Sequence, residues 1–347
     1  MKPEFKENLD KFIDNFVKDN VFSGSVRVSL KGEKIYERFI GNENEEGKPI
    51  SENSKFAFYS FSKPFCALGL LKLYDKGLIS LEDHPKKYLS EITNFSETLT
   101  IRHLLTHTSG LPDFEQLAEF SDKYKRGEYP VLRQHLKLLQ DYPAYFMPGE
   151  GGMYANINFV IPALIIENIT GIPYPEYMKK EVFEPLGMET AVVALYNDQV
   201  PDMVQGYALS DGKKVPVERW NDWALGAGDI VGRVEDVYCL SKAIKERLLL
   251  KDSTWDEVLT PMPQNGMGMG CFVNMWHGKK RILHSGGHKG FRNLHIQILE
   301  DDLDIIYMSN CGWGSMREDF AEAIYDAFYG KDDLKSDTVE MDKGYAK

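Results

Sequence analysis

Apolar positions along this chain follow two rhythms. Phe5, Leu9, Phe12, Ile13 and Phe16 recur at helical spacing among charged residues, which predicts an amphipathic first helix. Val26, Val28 and Leu30 then alternate with polar neighbours, the chain turns at Lys31-Gly32, and apolar positions resume at Ile35 and Phe39, the pattern of a β-hairpin. Towards the other end, "GMGCFVNMWHGKKRILHSGG" and "FRNLHIQILEDDLDIIYMSN" each read as two strand segments around a polar turn, at His277-Gly278 and at Glu300-Asp301-Asp302. Helical spacing returns in "SMREDFAEAIYDAFYG".

Between about residues 60 and 260 the pattern is mostly helix and loop, punctuated by "YFMPGEGG", "ITGIPYPEY" and "EPLGM". Strands at both ends with helices between them predict an α/β (α+β) protein, its antiparallel sheet assembled from the two ends of the chain. The expected organisation is one unit over 1–345. Residues 1–59 and 261–330 supply most of an α/β lobe, residues 60–260 mostly a helical lobe, and 331–347 a polar tail.

Composition narrows the classes of partner. A formal net charge of -12 and a pI near 5.3 oppose extended contact with phosphate backbones or anionic lipid, so neither nucleic acid nor a membrane is expected as a partner. No signal-peptide core can be drawn through the first twenty residues, and no apolar run reaches membrane-spanning length, so a cytoplasmic location is expected. Cys66, Cys239, Cys271 and Cys311 are scattered without a C-x-x-C pair, which argues for reduced core thiols over a zinc site or a disulfide framework. Nothing in the pattern sets an oligomeric state.

Three short motifs carry chemistry. Ser60-Phe61-Ser62-Lys63 precedes the apolar run "PFCALGLLKLYDKG"; in a helix, residues three apart share a face, so hydroxyl and amine would lie within reach of each other. A lysine buried at a helix N-terminus meets both desolvation and the positive end of the helix dipole, and both favour the neutral amine that can take a proton from serine. The competing reading is a simple N-cap. The same spacing at Ser210-Asp211-Gly212-Lys213 falls in an Asp-Gly turn with no apolar helix behind it, and serves as an internal control.

Tyr154-Ala155-Asn156 follows a Gly-rich segment and precedes the apolar "INFVIPALIIENITG"; of 18 tyrosines only Tyr154 begins a Y-x-N. The phenol could shuttle a proton and the amide could hold a substrate carbonyl, or the asparagine could merely cap the next helix. His284-Ser285-Gly286-Gly287 closes the strand begun by "RIL". Its glycines would allow close approach of a substrate backbone, with the Gly287 and Ser60 N–H groups as an oxyanion hole; a glycine-rich turn is the alternative.

Taken in this order, S-x-x-K, Y-x-N and H-x-G resemble the serine beta-lactamase and penicillin-binding-protein-like hydrolases. The resemblance is strongest to class C beta-lactamases and the related D-specific peptidases and esterases. Connecting stretches such as "LTIRHLLTHTSGLPD" and "LGAGDIVGRVEDVYCLSKAI" are similar as well, over roughly residues 20 to 330. The resemblance implies a beta-lactamase/transpeptidase-like fold, Ser60 as nucleophile, Lys63 and Tyr154 sharing acid/base duty, and Asn156, His284, Ser285, Gly286 and Gly287 at the substrate. It implies no metal and no cofactor.

The expected substrates are small esters, amides or beta-lactams. Histidine at 284, where many beta-lactamases carry a lysine that fixes the antibiotic's carboxylate, favours an esterase. The alternatives are a D-amino-acid-specific peptidase or weak beta-lactamase and, from another class, a non-catalytic ligand-binding protein of the same fold. His288 or Lys289 could supply the missing charge.

His103 and His107 have an i, i+4 spacing, but "HLLTH" lacks a glutamate and a third ligand, so no metal site is expected. Tyr59, Phe146, Trp220, Trp223, Phe291 and Trp313 lie near the motifs, as lining of an apolar acyl pocket or as core.

Overall fold

The computed structural model describes residues 5–19, 22–114, 136, 139–195, 198–210, 213–217, 225–288, 290–311 and 316–329. Helix α1 (Phe5–Asp19) leads into β1 (Gly24–Leu30) and β2 (Glu33–Ile40), joined at Lys31 and Gly32 with φ of 51° and 83°. Two successive positive φ values are what a two-residue hairpin needs to match strand twist. After β3 (Phe56–Ala57) come a 3₁₀ turn (Tyr59–Ser62), α2 (Lys63–Asp75) and α3 (Ile101–Leu105). Next are α4 (Ile157–Thr170), α5 (Tyr174–Met178) and α6 (Glu184–Leu186), then β4 (Val192–Val193), the hairpin β5 (Gly206–Ser210) and β6 (Lys213–Val217), and β7 (Ile230–Gly232). The chain closes with α7 (Val234–Glu246), α8 (Asp252–Val258), β8 (Phe272–Trp276), β9 (Lys279–His288), β10 (Phe291–Ile298), β11 (Leu303–Ser309) and α9 (Met316–Tyr329).

The main sheet has six strands in the order β2-β1-β11-β10-β9-β8, each pair antiparallel. Pairing of β1 with β11, from Gly24↔Ser309 to Leu30↔Leu303, joins the two ends of the chain. One face is covered by α1 and α9, where Phe5, Leu9 and Ile13 pack with Ile324, Tyr325 and Phe328 on Val26, Val28, Leu294 and Ile305. On the other face Ile282, Ile306 and Met308 belong to one apolar core with α2, α4 and α7, so the helical segment and the sheet are packed together.

Helices α2 and α4 are buried on every side over Lys63–Leu71 and Ile157–Ile166, as helices without a polar face must be. Lys63, at the N-terminal end of α2, and Asn158, at the start of α4, are the polar side chains in that apolar pattern. The control motif behaves differently: Ser210 and Lys213 pair across the β5/β6 hairpin. The polar tail 331–347 lies outside the described residues.

Candidate active site

Ser60 occupies the 3₁₀ turn immediately before α2, where the sequence pattern placed it within the helix. Tyr59 adopts a φ of 50°, a left-handed value that costs a residue with a Cβ roughly 1–2 kcal/mol. Packing of its ring on Phe291 and His288, at 5.7 and 5.5 Å between centroids, holds it there. The turn keeps Tyr59, Phe61 and Ser62 inside and leaves Ser60 half-buried.

Lys63 is fully buried. Its Nζ lies 2.8 Å from Asn156 Oδ1, 2.8 Å from the Ala227 carbonyl and 3.2 Å from Ser60 Oγ. Two of these partners can only accept hydrogen bonds. A neutral amine can therefore give its two N–H groups to the carbonyl oxygens and turn its lone pair to the serine hydroxyl, and a protonated one gives its third N–H to the same oxygen. Both protonation states fit one geometry.

Tyr154 stands over this amine, its ring centroid 4.7 Å from Lys63 Nζ. His107 clamps the tyrosine from behind. The Met153 N–H donates to the His107 carbonyl at 2.9 Å, the Ala155 N–H donates to His107 Nδ1 at 3.1 Å, and the imidazole stacks on the phenol. Asn158 Nδ2 also lies 3.0 Å from Nδ1. With donors converging on Nδ1, the ring proton is assigned to Nε2, and burial holds the imidazole well below its ordinary value, hence neutral. The sequence offered His107 only as a metal candidate. His103 instead caps α3 through Thr100, and no group of three or more His, Cys, Asp or Glu placed to hold a metal ion occurs among the described residues.

The sequence assigned the Asn156 amide to a substrate carbonyl; the structure adds a protein partner at each end of that amide, and each end has a further hydrogen-bonding position. Nδ2 and the backbone N–H both donate to Asp113 Oδ2, at 2.9 and 2.8 Å, and Oδ1 accepts from Lys63. Asp113, unnoticed in the sequence although it ends "HTSGLPD", is buried. Burial raises its carboxyl above the ordinary range, against the opposing pull of the Asn156 N–H and Lys63.

The third motif reaches the first through β9. Pairing with β8 stops at Phe272↔Leu283, while β10 continues to pair up to His288↔Phe291, so the motif lies on a half-open stretch of strand. At Gly286 a Cβ would come within 1.9 Å of the Phe58 carbonyl and 2.7 Å of the Phe61 nitrogen, so only glycine lets the strand lie against the Ser60 turn. Ser285 and Gly287 are half-buried beside it.

His284, read in the sequence as a histidine in place of a charge-supplying lysine, is enclosed. The ring is 2% exposed, packs near Phe61 and Phe272, and lies with Nδ1 2.7 Å from the Ser285 carbonyl. His288 packs on Tyr59, and Lys289 lies outside the described residues. Among the described residues a cation that reaches the motif is Arg292, which was not singled out in the sequence. It pairs with Gly287 across the ladder, and a Cβ on Gly287 would meet its Nη1 at 2.6 Å.

A family model described as Beta-lactamase matches residues 9–328. The chain belongs to the beta-lactamase family. It is 29% identical over 334 residues to "Penicillin-binding protein 4*" of Bacillus subtilis (strain 168), covering 89% of this chain and 73% of that protein. It is 31% identical over 232 residues to "Esterase EstB" of Burkholderia gladioli, covering 60% and 58%. D-amino acid amidase from Ochrobactrum anthropi SV3, solved with D-phenylalanine, shares the fold with a TM-score of 0.80 at 21% identity, covering 94% of this chain and 99% of that one. The chain is accordingly a hydrolase of the beta-lactamase family with the beta-lactamase/transpeptidase-like fold.

In this beta-lactamase-family chain a buried serine–histidine pair elsewhere is a look-alike. Ser241 Oγ lies 2.7 Å from His295 Nε2, and Asp304 approaches the same nitrogen at 3.9 Å, so the acid cannot orient the ring from the opposite side as a catalytic triad requires. All three are buried. Of the aromatic candidates, Tyr59 and Phe291 are core, Phe146 packs over Gly110 and Gly151, and Trp220, Trp223 and Trp313 lie outside the described residues.

Proposed function

We propose that this protein cleaves esters or small amides through an acyl-enzyme on Ser60. Ser60 Oγ attacks the substrate carbonyl and gives its proton to Lys63. The backbone N–H groups of Ser60 and Gly287 receive the developing oxyanion, and the proton taken by Lys63 passes by way of Tyr154 to the leaving group as its bond to the carbonyl breaks. Water then attacks the acyl-enzyme, returning a proton to Ser60 Oγ and releasing the acid. The observation that carries this reading is the buried Lys63 amine, held by two carbonyl oxygens at 2.8 Å with Ser60 Oγ 3.2 Å away. Asn156 is read as a positioning residue that links Lys63 to Asp113.

The preferred substrate is an uncharged short-chain ester, because the His284 ring is enclosed and offers no anion contact. A second reading, a D-amino-acid-specific peptidase or weak beta-lactamase, is favoured by one observation: the Arg292 guanidinium beside Gly287, which would suit a substrate carboxylate. "D-aminopeptidase" of Gluconobacter oxydans is 24% identical over 295 residues. Fluorophosphonate labelling followed by peptide mapping tests the mechanism. Label on Ser60, lost in Ser60→Ala, is expected, and an unlabelled native protein would leave a ligand-binding role. Kinetics on p-nitrophenyl esters, D-amino-acid amides and nitrocefin separate the substrate classes.

A further inference from the structure

The turn that supplies the Ala227 carbonyl to Lys63 is built in an unusual way. Gly226 has a φ of 76°, and a Cβ there would strike the Phe159 carbonyl at 2.6 Å and both Ala163 Cβ and Cys66 Sγ at 2.9 Å. The turn is closed by a side chain: the Gly226 N–H donates to Asp229 Oδ2 at 2.6 Å. Asp229 also gives its backbone carbonyl to the Ala194 N–H, and the next residue, Ile230, donates its N–H to Ser62 Oγ. The loop is thus tied on one side to the serine turn and on the other to β4.

Asp229 is fully buried, and its second carboxylate oxygen, Oδ1, finds no hydrogen-bond partner among the described residues. Leaving a buried carboxylate oxygen unsatisfied costs free energy, and a plain structural turn could be closed by a neutral asparagine. The charge whose field reaches it is that of Lys63 on α2, and an ionised Asp229 opposes ionisation of the buried Cys66 thiol on α2 and Tyr174 phenol on α5, both of which burial keeps neutral. Lys63 in turn acts on Asp113 and His107. Among the described residues, Asp229 and Asp113 are buried carboxylates around the lysine, and Asp113 is already engaged by Asn156.

We propose that Asp229 is a positioning residue of the serine–lysine centre: it closes the turn that aims Ala227 at Lys63, and its buried negative charge sets the pH at which the lysine releases its proton. An ionised carboxylate nearby favours the ammonium form, so Asp229 holds Lys63 protonated to higher pH than the apolar surroundings alone would allow. Burial pushes the Asp229 carboxyl up to about 7, so its charge changes across neutral pH, where the amine is required as a base. This inference rests on the reading of Lys63 as the base for Ser60.

Two substitutions separate the two parts. Asp229→Asn keeps an acceptor for the Gly226 N–H and removes the charge; the rising limb of kcat/KM against pH is expected to move down by about one unit, with the maximum rate retained. Asp229→Ala removes both and is expected to lower kcat about tenfold at its own pH optimum with KM little changed, since the Ala227 carbonyl is no longer held. The ¹³Cε shift of Lys63 in ¹³C-lysine-labelled protein, assigned by its loss in Lys63→Ala, gives the titration of the amine without turnover. A Lys63 titration unmoved in Asp229→Asn overturns the charge role, and Asp229→Ala with wild-type kcat overturns the turn-closing role. If the titration moves as expected while native Ser60 takes no acyl group, the nucleophile reading fails and the coupling of Asp229 to Lys63 stands.

Discussion

His107 lies flat against Tyr154, their rings 4.3 Å apart and 20° from parallel. The same histidine holds the backbone on both sides of the tyrosine through Met153 and Ala155. His107→Phe keeps an aromatic ring but removes the acceptor for Ala155 and Asn158. We expect kcat to fall roughly tenfold or more while KM changes little, because the phenol loses its fixed position. Recovery of full kcat in His107→Phe would show that the stack alone suffices.

Ser60 and Ser62 should part company. Ser60→Ala is expected to abolish turnover and labelling with the fold intact. Ser62 is buried, and its Oγ accepts from the Ile230 N–H at 3.0 Å, so Ser62→Ala should retain most activity and lose about 1–3 kcal/mol of stability. Parallel denaturant melts and ester assays check both; an acyl adduct mapped to Ser62 would refute the assignment.

Removing the amine in Lys63→Ala should cost about a hundred- to ten-thousand-fold in kcat/KM, the usual worth of a general base. Asn156→Ala should lower kcat and leave KM nearly unchanged, because its Oδ1 holds Lys63. A large rise in KM with kcat preserved would instead restore the substrate-carbonyl role read from the sequence.

On the proposed reading, Arg292 is the residue at which a substrate carboxylate should be felt, since the enclosed His284 offers it no contact. Short p-nitrophenyl esters are expected to be turned over well, and nitrocefin slowly or with acylation only. Arg292→Ala should weaken nitrocefin turnover further, by about tenfold to a hundredfold for one lost charge-assisted contact, while neutral esters lose less. His284→Lys should destabilise the protein, since it places an ammonium among Phe61 and Phe272. Esters and nitrocefin responding equally to Arg292→Ala would exclude a carboxylate role.

The Ser241–His295–Asp304 cluster is expected to add two opposing slopes to stability against pH. Burial pushes His295 down to about 3, so the folded state binds fewer protons there than the unfolded state, and stability is lost as pH falls below about 6.5. Burial raises Asp304 to about 7, and stability from that group is lost as pH rises from about 4 through 7. The two slopes oppose each other between about pH 4 and 6.5. Asp304→Asn should expose the His295 slope, so its Tm climbs with pH across that window more steeply than the wild type's. Parallel Tm curves for the two proteins would rule out a raised Asp304.

The sequence by itself determined the first helix, the hairpins near the two ends of the chain and the spacing of Ser60 and Lys63, all of which depend on neighbours along the chain, while the strands β4 to β7 within 60–260 were not legible in it. Helical periodicity marked α1, alternation marked the hairpins, and Lys31-Gly32 and His277-Gly278 took the positive φ values of their turns, because such signals are local. Ser60 and Lys63 were legible for the same reason: three residues apart at the mouth of an apolar helix. What only the tertiary structure decided was which way side chains distant in sequence point. The direction of the Asn156 amide depends on Asp113, 43 residues away. Enclosure of His284 depends on Phe61 and Phe272, and the roles of His107 and Asp229 arise from contacts that carry no spacing of their own. A strand's alternation says that two faces exist. Whether a face meets a core or a groove is settled by the elements that pack on it, and here Gly286 against Phe58 turned His284 inward and left Arg292 beside Gly287.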